Sequence, residues 1–319
     1  MCDFFINFFP FFFGKQKKEA MDNDDTYVLI DSEKQDGSSP KSCRIPKTIH
    51  QTWETSDVPE HWKQSEQQWR LFCEKYGYEY KLWTASDRRE LVAKKHPWFL
   101  PIFDAYKQNI QRVDTWRYFV LYDEGGFYCD LDIVPKIDSM HALIQFYNDC
   151  NVSVAIAKSA TANDFKSQGE VLTNACVISQ KHAPFWKMVW SELRKPLSEG
   201  SWTRRTLGFL PYFQVIFGTG PGILNQAYTK YCKTDTLMTM HPVVQIPCEF
   251  ISCGFEWDPK PFQTPESVTI LLAGSSWHTK SMKPFRYVSY AIHYREFIMI
   301  IIIVVLILLI ILILLCMKR

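Results

Sequence analysis

The sequence predicts an α/β fold, a sheet flanked by helices on both faces, with one transmembrane helix set apart near the C-terminus. Three observations lead there. Between residues 45 and 231, segments that alternate with a period of two are interleaved with segments of helical period. The composition is globular, 47% hydrophobic and 22% charged over 319 residues, which excludes wholesale disorder and suits one large or two small domains. Residues 297–317 then read FIMIIIIVVLILLIILILLCM, with no charge, glycine, proline or amide.

A helix over that last run would be roughly 31 Å long, about the thickness of a bilayer's hydrocarbon core. A core helix of this length would normally carry a polar face, so the run reads as a membrane anchor. Lys318 and Arg319 follow it, while Arg286, His293 and Arg295 precede it, so the flanking cations leave its orientation open. The charge balance, 36 Lys and Arg against 34 Asp and Glu, argues against a nucleic-acid-binding protein, which would show a strong basic excess.

Three regions follow. Residues 1–43 form a flexible N-terminal segment whose Phe-rich stretch, FFINFFPFFF at 4–13, is too short to span a membrane; it reads either as an interfacial aromatic patch or as an apolar tail. Residues 44–285 form a single domain, and 297–317 the transmembrane helix. The ten cysteines show no C-x-x-C spacing; they read mainly as buried free thiols, with one or two disulfides in a lumenal fold as the alternative.

Within the domain, 45–53 reads as a strand and 60–76 as a helix with Trp62 and Trp69 on one face. Residues 78–83 alternate as a strand. Residues 86–96 form a helix that Ser86 could cap and Pro97 ends. Residues 109–123 form a long helix stopped by Gly125–Gly126. Strands follow at 127–134, 152–157 and 171–179, and helices at 184–193 and 221–231. In such sheets ligands bind at the carboxyl ends of the strands.

The densest concentration of chemistry-bearing residues is RVDTWRYFVLYDEGGFYCDLD, 112–132. Asp114 and Arg117 are three apart on a helix and share a face. Asp130 and Asp132 are two apart in what reads as an extended strand, so both carboxylates share a face while Cys129, Leu131 and Ile133 point inward. Two adjacent carboxylates repel unless a cation lies between them, and hard oxygen ligands suit Mg²⁺ or Mn²⁺. Such an ion could carry a diphosphate, with Arg117 giving a forked phosphate contact. The plainer alternative is a helix ion pair beside a solvated strand end. His50 and Trp53 end the first strand, where a base could stack or the core could pack. Tyr118, Tyr122 and Tyr128 read as packing.

Seven stretches together resemble the DxD-containing glycosyltransferases of family 32, and within them the inositol phosphorylceramide mannosyltransferases. They are IPKTIHQTW (45–53), VPEHW (58–62), YEYKLWT (78–84), HPWFL (96–100), the 112–132 stretch, GTGP (218–221) and GSSWH (274–278). The resemblance implies a GT-A-type nucleotide-sugar-binding sheet. It implies that Asp130 contacts the nucleotide sugar, Asp132 is the main metal ligand, Asp114 holds sugar hydroxyls and Arg117 lies near the diphosphate. Arg112 joins the substrate-binding group with Asn174 near the donor sugar, Gly220 in a loop lining the acceptor side, and Ser276, Trp277 and His278 in a closing segment, where His278 can complete the metal sphere.

By resemblance the expected activity is a retaining, metal-dependent transfer of mannose from GDP-mannose to inositol phosphorylceramide. Mn²⁺ or Mg²⁺ would be the cofactor, the enzyme would be single-pass in Golgi or other endomembranes with its side unassigned, and a regulatory membrane subunit is a candidate partner. Other hexosyl transfers, to a glycoprotein glycan or another lipid, and an inactive sugar-nucleotide-binding scaffold stand as the alternatives.

Overall fold

In the computed structural model, residues 44–158, 172–196, 210–251 and 264–272 are described. The strands are β1 Thr48–Thr52, β2 Glu79–Trp83, β3 Gly126–Cys129, β4 Ile133–Pro135, β5 Val154–Lys158, β6 Leu172–Ser179, β7 Val243–Ile246 and β8 Thr269–Leu271. The helices are α1 Lys63–Tyr76, α2 Ala85–Lys95, α3 Leu100–Ala105, α4 Asn109–Asp123, α5 Ile137–Asp149, α6 Phe185–Arg194, α7 Pro211–Gly218, α8 Pro221–Tyr231 and α9 Asp235–Met240. A single 3-10 turn, Glu60–Trp62, leads into α1.

Six strands form one mixed sheet in the order β2-β1-β3-β6-β5-β7, and β4 pairs with β8 in a separate two-stranded sheet. β2 and β3 flank β1 in parallel, whereas β6 runs antiparallel to both β3 and β5. The α/β expectation therefore holds, with an antiparallel strand at the centre of the sheet.

Alternation along the strands divides the core into two layers. Phe127, Cys129, Cys176 and Ile178 pack with Trp69 and Phe72 of α1 and Met140 and Ile144 of α5. Tyr128, Val177, Val154 and Ile156 face the other way, onto α4, α6 and α8. Each layer removes apolar side chains from water at roughly 25 cal/mol per Å². Helices thus cover both faces.

Local signals set the boundaries of the helix that carries the site. α4 ends at Asp123 with Glu124 as its cap, followed by Gly125 at φ 64 and Gly126 at φ 93. A Cβ on Gly126 would lie 2.5 Å from the Thr48 carbonyl oxygen, so only glycine lets β3 approach β1 there. The α2 cap is Thr84 rather than Ser86: its hydroxyl accepts from the Asp87 amide, and Asp87 returns a bond to the Thr84 amide.

One expectation is corrected. Residues 127–134 are not a continuous strand, and Asp130 and Asp132 do not lie on a pleat. β3 stops at Cys129 and β4 begins at Ile133, and the Ile133 amide donates to the Asp130 carbonyl at 3.2 Å, closing a turn from one sheet into the other. Leu131 still points inward, 5% exposed, but into a cluster with Val58 and Trp62.

The apolar run 297–317 and the Phe-rich stretch lie outside the described residues. Among the described residues, no helix is long and apolar enough to cross a membrane, and the buried Cys73 and Cys129 are free thiols.

Candidate active site

The site lies at the carboxyl end of β3. α4 runs back along the sheet, so its first half, with Asp114 and Arg117, lies over that end. β6 is antiparallel and Cys176 pairs with Cys129, so Asn174 extends past the end of β3 to meet them. Thr219 and Gly220, between α7 and α8, close the group from a fourth side.

The backbone of the Asp-x-Asp turn is fixed by hydrogen bonds from several elements. The Asp130 amide donates to the Ala175 carbonyl at 2.9 Å. Gln51 Nε2 donates to the Asp130 carbonyl at 3.3 Å. Ser65 Oγ and Trp69 Nε1, one turn apart on α1, both donate to the Ile133 carbonyl, at 2.7 and 2.9 Å. The Leu272 amide donates to the Asp132 carbonyl at 2.7 Å. Held this way, the turn presents its carboxylates with little freedom to lose on binding.

The side chains form one connected network. Arg117 Nη2 lies 3.4 Å from Asp114 Oδ1 and 3.3 Å from Asp130 Oδ1, and its Nη1 donates to the Asn174 carbonyl. Asn174 Nδ2 donates to Asp114 Oδ1 at 3.0 Å and to the Tyr118 hydroxyl at 3.2 Å. Thr219 Oγ1 donates to Asp114 Oδ2 at 3.2 Å, and Tyr128 donates its phenol hydrogen to Asp130 Oδ1 at 2.6 Å. Asp114, Arg117 and Asn174 are 4%, 2% and 6% exposed, and a charge so buried persists only when it is paired. Burial lifts Asp114 to about 6 despite Arg117. Burial, and then the charge of Asp130, push Asp132 well above the usual carboxylate range.

The structure thus brings Asp114, Arg117, Asp130, Asn174 and Gly220 together, with Asp132 in the adjoining turn. A Cβ on Gly220 would lie 3.3 Å from Asp114 Oδ2, so the 218–221 loop abuts the carboxylate. Arg112 is elsewhere: its guanidinium donates to the Asp104 and Tyr106 carbonyls at the end of α3. Ser276, Trp277 and His278 lie outside the described residues.

His50 is fully buried. Trp83 Nε1 donates to its Nδ1 at 3.1 Å, so its Nε2 carries the hydrogen and donates to the Gly125 carbonyl at 2.9 Å. Both ring nitrogens are spent on the fold, so packing is its role, and only Trp53 is left partly exposed at the end of β1. Tyr118 and Tyr128, read from sequence as packing, carry hydroxyls of the network. A signal was present: Tyr118 is four residues from Asp114 on a helix, and Tyr128 two residues before Asp130 at the end of a strand.

Two carboxylates in one turn, the charge of Asp130 adding to the burial that raises the proton affinity of Asp132, are a donor set suited to a hard divalent cation that also takes substrate phosphates. Among the described residues no group of three or more His, Cys, Asp or Glu could hold a metal ion.

Residues 59–148 match the family described as glycosyltransferase sugar-binding region containing DXD motif. That match agrees with the DxD-containing glycosyltransferases that the seven sequence stretches resemble. The chain is 36% identical over 189 residues to inositol phosphoceramide mannosyltransferase 2 of Schizosaccharomyces pombe, covering 59% of this chain and 47% of that protein. It is 28% identical over 284 residues to inositol phosphoceramide mannosyltransferase 3 of the same yeast, covering 89% of this chain and 67% of that one. It is 31% identical over 212 residues to mannosyl phosphorylinositol ceramide synthase SUR1 of Saccharomyces cerevisiae, covering 65% and 48%. The chain thus spans about half the length of two of these relatives. Among solved structures, a glycosyltransferase involved in glycosylation of the major capsid of PBCV-1 is 12% identical with a TM-score of 0.41, covering 72% of this chain and 93% of that one.

Proposed function

We propose that this protein is a metal-dependent, retaining hexosyltransferase of GT-A type that moves mannose from GDP-mannose to the inositol phosphate headgroup of a sphingolipid. The observation that carries the reading is the junction of the Asp114–Arg117–Asn174 network with the Asp130–Asp132 turn at one strand end. The names of the yeast relatives support the sugar and the acceptor.

Cleavage of the bond between sugar and nucleoside diphosphate leaves negative charge on the phosphate and positive character on the sugar ring. Asp114 and Asn174 offer acceptor atoms to sugar hydroxyls and hold the ring in place. Arg117, kept between Asp114 and Asp130, supplies a fixed cation toward the diphosphate that need not reorganise during reaction. Asp130 and Asp132 would hold Mn²⁺ or Mg²⁺, which supplies charge stabilisation for the departing diphosphate. By the resemblance, His278 would complete the metal sphere. Trp53 offers a ring face for the base. An anchor over 297–317 would keep this site beside a lipid acceptor.

The test is transfer by the full chain from a panel of nucleotide sugars to inositol phosphorylceramide, with Mn²⁺, Mg²⁺ or EDTA. GDP-mannose with either metal should give product and EDTA should stop it. Product from another donor alone, or undiminished transfer in EDTA, overturns the assignment.

A further inference from the structure

Asp114, Asn174, Tyr118 and Thr219 close a ring of hydrogen bonds. Asn174 Nδ2 donates to Asp114 Oδ1 and to the Tyr118 hydroxyl, at 3.0 and 3.2 Å. The Tyr118 hydroxyl donates to the Thr219 carbonyl at 2.8 Å. Thr219 Oγ1 returns to Asp114 Oδ2 at 3.2 Å, closer than the Val215 carbonyl at 3.4 Å. The four side chains come from α4, β6 and the α7–α8 loop, which share no local sequence. Tyr118 and Thr219 are both 0% exposed, so they touch no solvent and reach a ligand only through their partners.

The ring determines which atoms remain for a ligand. Tyr118 has one hydrogen, spent on Thr219, so it can only accept from Asn174. Asp114 also accepts. The amide of Asn174 must therefore turn its nitrogen to both, which commits both of its hydrogens and leaves Oδ1 as its one open polar atom. Asp114 Oδ1 is shared between Asn174 and the Arg117 ion pair, whereas Oδ2, with the single bond from Thr219, keeps a further lone pair. The floor built by these two residues therefore presents acceptors only, complementary to hydroxyl donors.

We propose that Tyr118 and Thr219 are positioning residues that lock Asp114 and Asn174 as a hydroxyl-accepting floor for the donor sugar and tie the 218–221 loop to it. The proposal rests on the glycosyltransferase reading. The Tyr118→Phe variant keeps the ring packing and removes the acceptor, freeing the Asn174 amide to flip. Thr219→Val removes the bond to Asp114 at nearly constant volume, and Thr219→Ser retains it. A floor misplaced by a fraction of an ångström costs rate well out of proportion to stability.

The experiment measures donor KM and kcat of the full chain with GDP-mannose for Tyr118→Phe, Thr219→Val, Thr219→Ser and the Tyr118→Phe/Thr219→Val double variant. Hydrogen exchange of 172–179 and 211–231 and the Tm are read alongside. Each of the first two variants should lose about tenfold or more in kcat/KM, Thr219→Ser should recover to within about twofold, and the double variant should lose little more than either single one. Exchange should quicken in both segments with the Tm little changed. Losses under twofold, losses that multiply, a serine variant as poor as the valine one, or activity falling only in step with the Tm would each overturn it. A wild type that transfers no sugar defeats the functional reading. Even then, the ring stands or falls on whether Tyr118→Phe quickens exchange in both segments.

Discussion

His50 donates its Nε2 hydrogen to the Gly125 carbonyl at 2.9 Å, joining the middle of β1 to the turn that launches β3. Burial lowers this histidine from 6.5 to about 4. The neutral ring is thus the form the fold requires, whereas the unfolded chain takes up a proton below about pH 6.5. The stabilisation is fully present above 6.5 and is lost as the pH falls toward 4, by about 2 kcal/mol at pH 5. Asp114 and Asp132 are shifted upward and act in the opposite sense, so the comparison should be made between wild type and a variant in which only this group is lost. His50→Gln should be less stable at pH 7.5, and the difference should narrow by about 2 kcal/mol at pH 5 in urea denaturation. A constant difference across that range rules the linkage out.

The glycines beside His50 make a second, sharper case. Gly126 has φ 93, and an added Cβ would meet the Thr48 oxygen at 2.5 Å. Neither backbone can yield without breaking the β1–β3 ladder. Gly126→Ala should therefore cost more than about 3 kcal/mol, combining a strained φ with a clash. Gly77, also at positive φ but with nothing within 4 Å of an added Cβ, should accept alanine at about 1 kcal/mol. Denaturation midpoints of the two variants check the ordering.

These cases bear on what the sequence could reveal. α4 was legible to the residue because helical period and the Gly125–Gly126 stop agree. The Asp-x-Asp turn was not, because F-Y-C-D-L-D-I-V alternates like a strand and Leu131 and Ile133 are buried as a strand would require. What bends it is remote: Gln51, Ser65 and Trp69 draw in carbonyls from another part of the chain. The pairing of Asp114 with Arg117 follows from helical spacing, whereas their meeting with Asn174 and Thr219 depends on the direction of β6 and the path of the α7–α8 loop. Periodicity carries neither.

Arg88 is another group that local pattern could not assign. It is 1% exposed, and its guanidinium donates to Thr52 Oγ1 at 2.6 Å, the Trp53 carbonyl at 2.8 Å and Glu54 Oε1 at 2.9 Å. It thereby fixes the segment that carries Trp53 past the end of β1. Arg88→Met leaves those acceptors without their shared donor and should cost about 3 kcal/mol. Arg88→Lys should recover only part of this, since an ammonium cannot reproduce the fork. A lysine variant as stable as wild type would show that charge alone suffices.

Asp132 should separate stability from activity. Burial, followed by the neighbouring charge of Asp130, raises its proton affinity above the ordinary value of 3.8. A raised carboxyl means that its ionised form is disfavoured in the fold, so ionisation at neutral pH lowers stability, and the penalty disappears where the group is neutral in both states. Asp132→Asn removes that penalty. Without divalent metal it should melt at or above the wild-type temperature at pH 7.5, and the gain should shrink as the pH falls toward 4. Its transfer activity should nonetheless drop by at least about a hundredfold, because a neutral amide is a poor ligand for a hard cation. Thermal melts at two pH values in EDTA, set beside transfer assays in Mn²⁺, make the test. A variant that both melts lower and keeps its activity would show that Asp132 serves the fold and holds no metal.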